Sequence, residues 1–107
     1  MHYCLLSQTI VTRFSYKLKT KIGRNDGMQF DNSAVGKTIR ALRKEKGLSQ
    51  DVLSGLAGIA RTHLTMIENG SKQANFETLW RLATALGLRP SELVAQIERR
   101  IEASEKY

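Results

Sequence analysis

With 107 residues and 41% of them hydrophobic, the chain has the length of one domain with a modest core and leaves no room for a second full domain. Lysine and arginine outnumber acidic residues 17 to 10, and the net charge of +7 favours an anionic partner such as nucleic acid over an acidic small substrate, although a basic surface serves solubility equally well. The single cysteine, Cys4, excludes an intrachain disulfide and marks no oxidising compartment, so a reduced cytoplasm is the expected location.

No apolar stretch approaches the roughly 20 residues of a bilayer span. The N-terminus lacks the charged start, apolar middle and small-residue cleavage site of a signal peptide, so no membrane partner is expected. Residues 1–32 read as a basic arm. From Ile10 to Ile22 the pattern alternates with period two, setting Ile10, Thr12, Phe14, Tyr16, Leu18, Thr20 and Ile22 against Val11, Arg13, Ser15, Lys17, Lys19 and Lys21. This predicts a strand with a basic back, followed by the turn signal GRNDG over Gly23 to Gly27. No comparable second strand follows, and a lone strand must pair with something, such as the same strand of a second protomer. Three readings of residues 1–30 stay open: a flexible basic arm, an intermolecular strand, or an upstream extension with translation starting at Met28.

From Ser33 the periodicity becomes helical, and residues 33–104 are expected to form the folded unit, with 105–107 a tail. Val35, Ile39 and Leu42 fall on one stripe of a helix over about 34 to 46, which Gly47 ends. Ser49 stands as N-cap before QDVLSGLA, where Leu53, Leu56 and Ala57 make a short core face and Gly58 closes the helix. A third helix spans about Arg61 to Glu68, with Leu64 and Ile67 inward beside Ile59, and with Arg61, Thr62, Thr65, Met66 and Asn69 outward. Asn75 caps a fourth helix through Leu86 that buries Phe76, Leu79, Leu82, Ala83 and Leu86. Pro90 suits the first position of a fifth, with Leu93, Val94, Ile97 and Ile101 along one face. Five helices joined by short loops predict a compact all-α domain. His2 and His63 have no Cys or carboxylate at metal-ligand spacing, and no phosphate-binding glycine loop or catalytic constellation is present. An enzyme is the least supported reading, and no cofactor is expected.

Taken in order, IRALRKEKGLSQ, the GIARTHLTMIENG turn and helix, FETLWRLATALGL and SELV make residues 34 to 97 resemble the Cro and phage-repressor class of helix-turn-helix regulators, also called Xre-type. The likeness is specific because several features agree: Leu-Ser-Gln opening helix two, Gly-Ile at the turn, IENG closing helix three, and the ETLxxLAxALG helix. It implies a five-helix, lambda-repressor-like fold that binds double-stranded DNA in the cytoplasm as part of the nucleoid. A helix about 10 to 12 Å across fits a major groove about 12 Å wide.

By that resemblance, base reading is carried to Arg61, Thr62, Thr65 and Met66, where arginine suits guanine and the threonine and methionine methyls suit thymine. Gln50 is carried to a backbone phosphate or an outer base, and Asn69 and Lys72 to phosphates, contacts that hold register. His63 reads as a surface or phosphate-contacting residue, and Trp80 as a packing residue at a core edge or interface. Glu68 is expected to pair with Arg43 and fix helix one against helix three. Two positions depart from the family: Ala60 and Arg89 stand where a capping hydroxyl is usual, and Thr62 offers a local substitute for the first.

One such unit reads too few bases for a unique genomic site, so a homodimer on a palindromic operator is expected, acting as a repressor. The candidate dimer surfaces are the row Leu93, Ile97 and Ile101 and the Ile10 to Ile22 strand; closure of the monomer's own core is the competing reading of that row. The rival class is an antitoxin or protein-interaction module that also binds DNA, its basic strand adding to the sheet edge of a toxin or other protein partner. An RNA-binding or coactivator role lacks the aromatic stacking platform that single strands need.

Overall fold

Short polar caps decide where the helices begin. The computed structural model describes residues 29–105, and the strand expected over Ile10 to Ile22, with Cys4, His2 and the three readings of the N-terminal segment, lies outside them. The first helix, α1 (Asn32–Glu45), starts two residues earlier than its apolar stripe suggests, because Asp31 serves as N-cap. The Asp31 carboxylate accepts from the Ser33 hydroxyl at 2.8 Å and the Ser33 N–H at 2.9 Å, and these bonds hold its pKa below the ordinary aspartate value. Four helices follow: α2 (Gln50–Ala57), α3 (Arg61–Glu68), α4 (Phe76–Ala85) and α5 (Pro90–Glu105). Ser49 caps α2 through Val52 N–H, and Asn75 caps α4 through Thr78 N–H. At Arg89 the missing hydroxyl is offset by Glu92, whose carboxylate accepts from the Arg89 N–H at 2.8 Å, the return half of a capping box.

The helices enclose one core whose largest fully buried side chains are Ile39, Leu53, Leu64, Ile67, Leu82, Leu86 and Leu93, each contributing about 1.5–3 kcal/mol by burial. α1 packs against α3, α2 against α3 and α4, and α5 against both α1 and α4. That last pair of contacts corrects the reading of α5. Leu93, Ile97 and Ile101 are all buried in the protomer's own core, so the row offers no surface to a second copy. Arg100 ties the same helix to α1, its Nε donating to the buried Thr38 hydroxyl at 3.1 Å while that hydroxyl donates to the Ala34 carbonyl at 2.7 Å.

Three expected core residues lie outside. Leu56 is 62% exposed because the buried face of α2 is Leu53, Ser54 and Ala57; the Ser54 hydroxyl can be buried there because it donates to the Asp51 carbonyl at 3.1 Å. Phe76, at 67% exposure, precedes the buried stretch of α4 that starts at Thr78, and packs edge-on against Trp80 with ring centroids 6.0 Å apart. Val94 is exposed because the buried line of α5 steps from Leu93 to Ile97 to Ile101, every fourth residue, and Val94 sits one residue round the cylinder.

Candidate nucleic-acid interface

Gly58 makes the turn between α2 and α3 possible. It adopts a left-handed backbone, φ 72°, that a residue with a Cβ reaches only at a cost, and its N–H closes α2 on the Gly55 and Ser54 carbonyls. The chain then enters α3 with Leu64 and Ile67 anchored in the core. Two turns of helix, about 12 Å long by the usual rise per residue, therefore have one face fixed and the other outward. Arg61, Thr62 and Met66 are exposed on α3, and Thr65 and His63 are half-buried at its edges. Asn69 and Lys72 lie exposed in the loop that follows. The Asn69 side-chain oxygen accepts from the Ser71 N–H at 2.9 Å and shapes the turn that carries Lys72, whose own N–H meets the Met66 carbonyl at 3.2 Å.

α3 starts at Ala60 in an extended conformation with no side-chain cap, and the substitute bond suggested for Thr62 does not form. Ala60 already has the backbone conformation of an N-cap residue. Ala60→Ser should therefore raise stability by about 1 kcal/mol, read as a higher urea midpoint with an unchanged slope.

Behind the outward face lies a polar chain. The Arg43 guanidinium forks onto Glu68, Nε to Oε2 at 2.7 Å and Nη2 to Oε1 at 3.0 Å, while Nη1 donates to the Leu48 carbonyl at 3.0 Å. The hydrogen bond to Glu68 raises the Arg43 pKa above its already high ordinary value, burial opposing it. Gln50 continues the chain: its Nε2 donates to Glu68 Oε1 at 3.0 Å, and its Oε1 lies 2.9 Å from the Thr65 hydroxyl. The structure thus joins Arg43, Glu68, Gln50 and Thr65 from α1, α2 and α3, a linkage that residue spacing does not reveal.

Asp51 was not singled out in the sequence although it follows Gln50 directly. Its carboxylate lies 3.5 Å from Arg61 Nε with both side chains mostly exposed, so the pair adds little stability and leaves Arg61 free to exchange partners. Among the described residues no cluster of His, Cys, Asp or Glu is arranged to hold a metal ion, and no helix is long and apolar enough to cross a membrane.

Residues 39–93, just over half of the chain, match the helix-turn-helix family HTH_3. An uncharacterized HTH-type transcriptional regulator of Sinorhizobium fredii, y4dJ, is 38% identical over 60 residues, covering 56% of this chain and 78% of that protein. The immunity repressor protein of Bacillus phage phi105 is 37% identical over 62 residues, 58% of this chain and 43% of that protein. Among solved structures, the restriction-modification controller protein C.AhdI from Aeromonas hydrophila is similar with a TM-score of 0.57 and 38% identity, over 59% of this chain and 96% of that one.

Proposed function

Because the chain belongs to the HTH_3 helix-turn-helix family of DNA-binding transcriptional regulators, we propose that it is a repressor that binds a palindromic operator as a homodimer, with residues 33–104 as the DNA-reading unit. The observation that carries this reading is the outward face of α3. Arg61, Thr62, Thr65 and Met66 stand on a short rod whose inner residues, Leu64 and Ile67, hold it to the core. A rod of that width enters the major groove, where Arg61 donates two bonds to guanine O6 and N7. Gln50, Asn69 and Lys72 flank it at the height of the phosphates, the second Nε2 proton of Gln50 pointing away from Glu68.

Selection of bound DNA from a random pool tests this. A two-fold repeat with a G·C pair is expected, and Arg61→Ala should relax that pair and weaken binding by about 1–3 kcal/mol. Lys72→Ala should weaken all sequences alike and reduce the salt slope of log K by about 0.9. Failure to recover any preferred sequence would overturn the reading.

With the Leu93 row buried, the homodimer is assigned to the exposed pair Phe76 and Trp80 and the groove beside them. That groove, about 390 Å³, runs between α4 and α5 past Pro90, Val94, Ala95 and Glu98. A second copy suits it because the exposed Phe76, Trp80 and Val94 that line the groove form one apolar patch, which two copies bury against each other as a two-fold contact requires. Trp80→Ala should raise the dimer dissociation constant at least about tenfold in sedimentation equilibrium, the usual scale for a buried aromatic anchor, with little change in monomer stability. An unchanged constant would place the dimer contact elsewhere.

A further inference from the structure

The direction of every hydrogen bond behind α3 is set by charge. Arg43 is always a donor, and the Glu68 carboxylate it grips accepts only. Gln50 must then turn its amide nitrogen to Glu68 Oε1, which leaves its carbonyl oxygen facing Thr65. Two oxygens without protons now surround the Thr65 hydroxyl: Gln50 Oε1 at 2.9 Å and the Arg61 carbonyl at 3.0 Å. The hydroxyl has one proton, and both of these acceptors belong to the protein itself. What Thr65 presents to the groove is its lone pair and its methyl group.

We infer that Thr65 reads its base as a hydrogen-bond acceptor, taking the exocyclic amine of an adenine (N6) or a cytosine (N4), and that it cannot serve as donor to guanine N7 or O6. This rests on the reading of α3 as the groove-entering helix. Gln50 is thereby a partner in specificity as well as in register, since its oriented amide keeps the threonine proton inward. A threonine with an unconstrained hydroxyl would rotate to suit either kind of base edge.

The test begins with the operator selected by the full chain and removes one exocyclic amine at a time, replacing adenine by purine and cytosine by its 4-deamino analogue. Each duplex is titrated with wild type, Thr65→Ser and Thr65→Val. One position is expected where loss of the amine weakens wild type and Thr65→Ser about fivefold, the scale of one hydrogen bond, and leaves Thr65→Val unchanged. Thr65→Val keeps the side chain's shape, and circular dichroism melting checks that it folds. The inference is overturned if no amine shows that pattern, or if Thr65→Val instead silences the loss caused by 7-deazaguanine, which would make Thr65 a donor. In both outcomes a G·C pair that responds to Arg61→Ala would leave the repressor reading intact, whereas absence of any selected sequence would remove the reading itself.

Discussion

Gly36→Ala is expected to destabilise the domain by about 3 kcal/mol, at the upper end for overpacking by one methyl group. A Cβ at this position would sit 2.3 Å from the Ile67 carbonyl oxygen and 2.6 Å from that of Glu68, with the Glu68 carbonyl carbon at 2.9 Å. These atoms are backbone in the last turn of α3 and cannot swing aside as a side-chain tip would. To reach ordinary contact, α1 and α3 must separate by roughly 1 Å, which loosens the packing between them and strains the Arg43 fork onto Glu68. In a domain of this size the loss corresponds to a fall of about 12–24 °C in Tm. Gly55→Ala is the control. It lies inside α2 with nothing within 4 Å of the added methyl, so it should instead stabilise by up to about 1 kcal/mol through helix propensity alone. Paired urea titrations of the two variants check the contrast; the opposite signs would be lost if α1 and α3 did not approach so closely. Because the displaced turn belongs to the helix that carries Arg61 and Thr65, Gly36→Ala should also weaken operator binding under conditions where it remains folded.

The contrast between those glycines shows where the sequence stops being informative. Both sit in helical stretches, and only the three-dimensional approach of α3 separates a forbidden methyl from a welcome one. Helix starts at Ser49 and Asn75 and the turn at Gly58 were legible, since a cap and a left-handed glycine act on their own backbone within a few residues. Leu64 and Ile67 were likewise legible as inward, and Arg61, Thr62 and Met66 as outward, from helical spacing. Periodicity does not tell how wide a buried face is, and that width depends on how many neighbours press on it. α5 is pressed by two helices, and its Leu93, Ile97 and Ile101 row is covered; Leu56, Phe76 and Val94 lie at face edges that no helix of the described residues covers. Polar chains are hidden for a related reason. Gln50 reads as a phosphate contact from its place at the start of α2, while its tie to Thr65, fifteen residues on, exists only once α2 and α3 cross.

Arg43→Ala is expected to cost about 3 kcal/mol, and the reason is the charge it leaves behind rather than the bond it removes. Glu68 has only 4% of its side chain exposed and keeps, without Arg43, a single donor from Gln50. The Leu48 carbonyl loses the Nη1 bond in the same change. Arg43→Lys should recover little, because one ammonium cannot fork onto both carboxylate oxygens and reach Leu48 as well. Removing both charges is the informative variant. Arg43→Met combined with Glu68→Met should return to within about 1 kcal/mol of wild type, since a buried ion pair contributes little over a well-packed apolar pair. A double variant as unstable as Arg43→Ala would mean that the pair itself holds α1 to α3, and an unchanged Tm in Arg43→Ala would remove the pairing from the structural account. The double variant also separates stability from specificity. With Glu68 gone, nothing forces the Gln50 amide to turn its nitrogen inward, so a folded domain should still bind operator through Arg61 while losing the amine-dependent preference at Thr65.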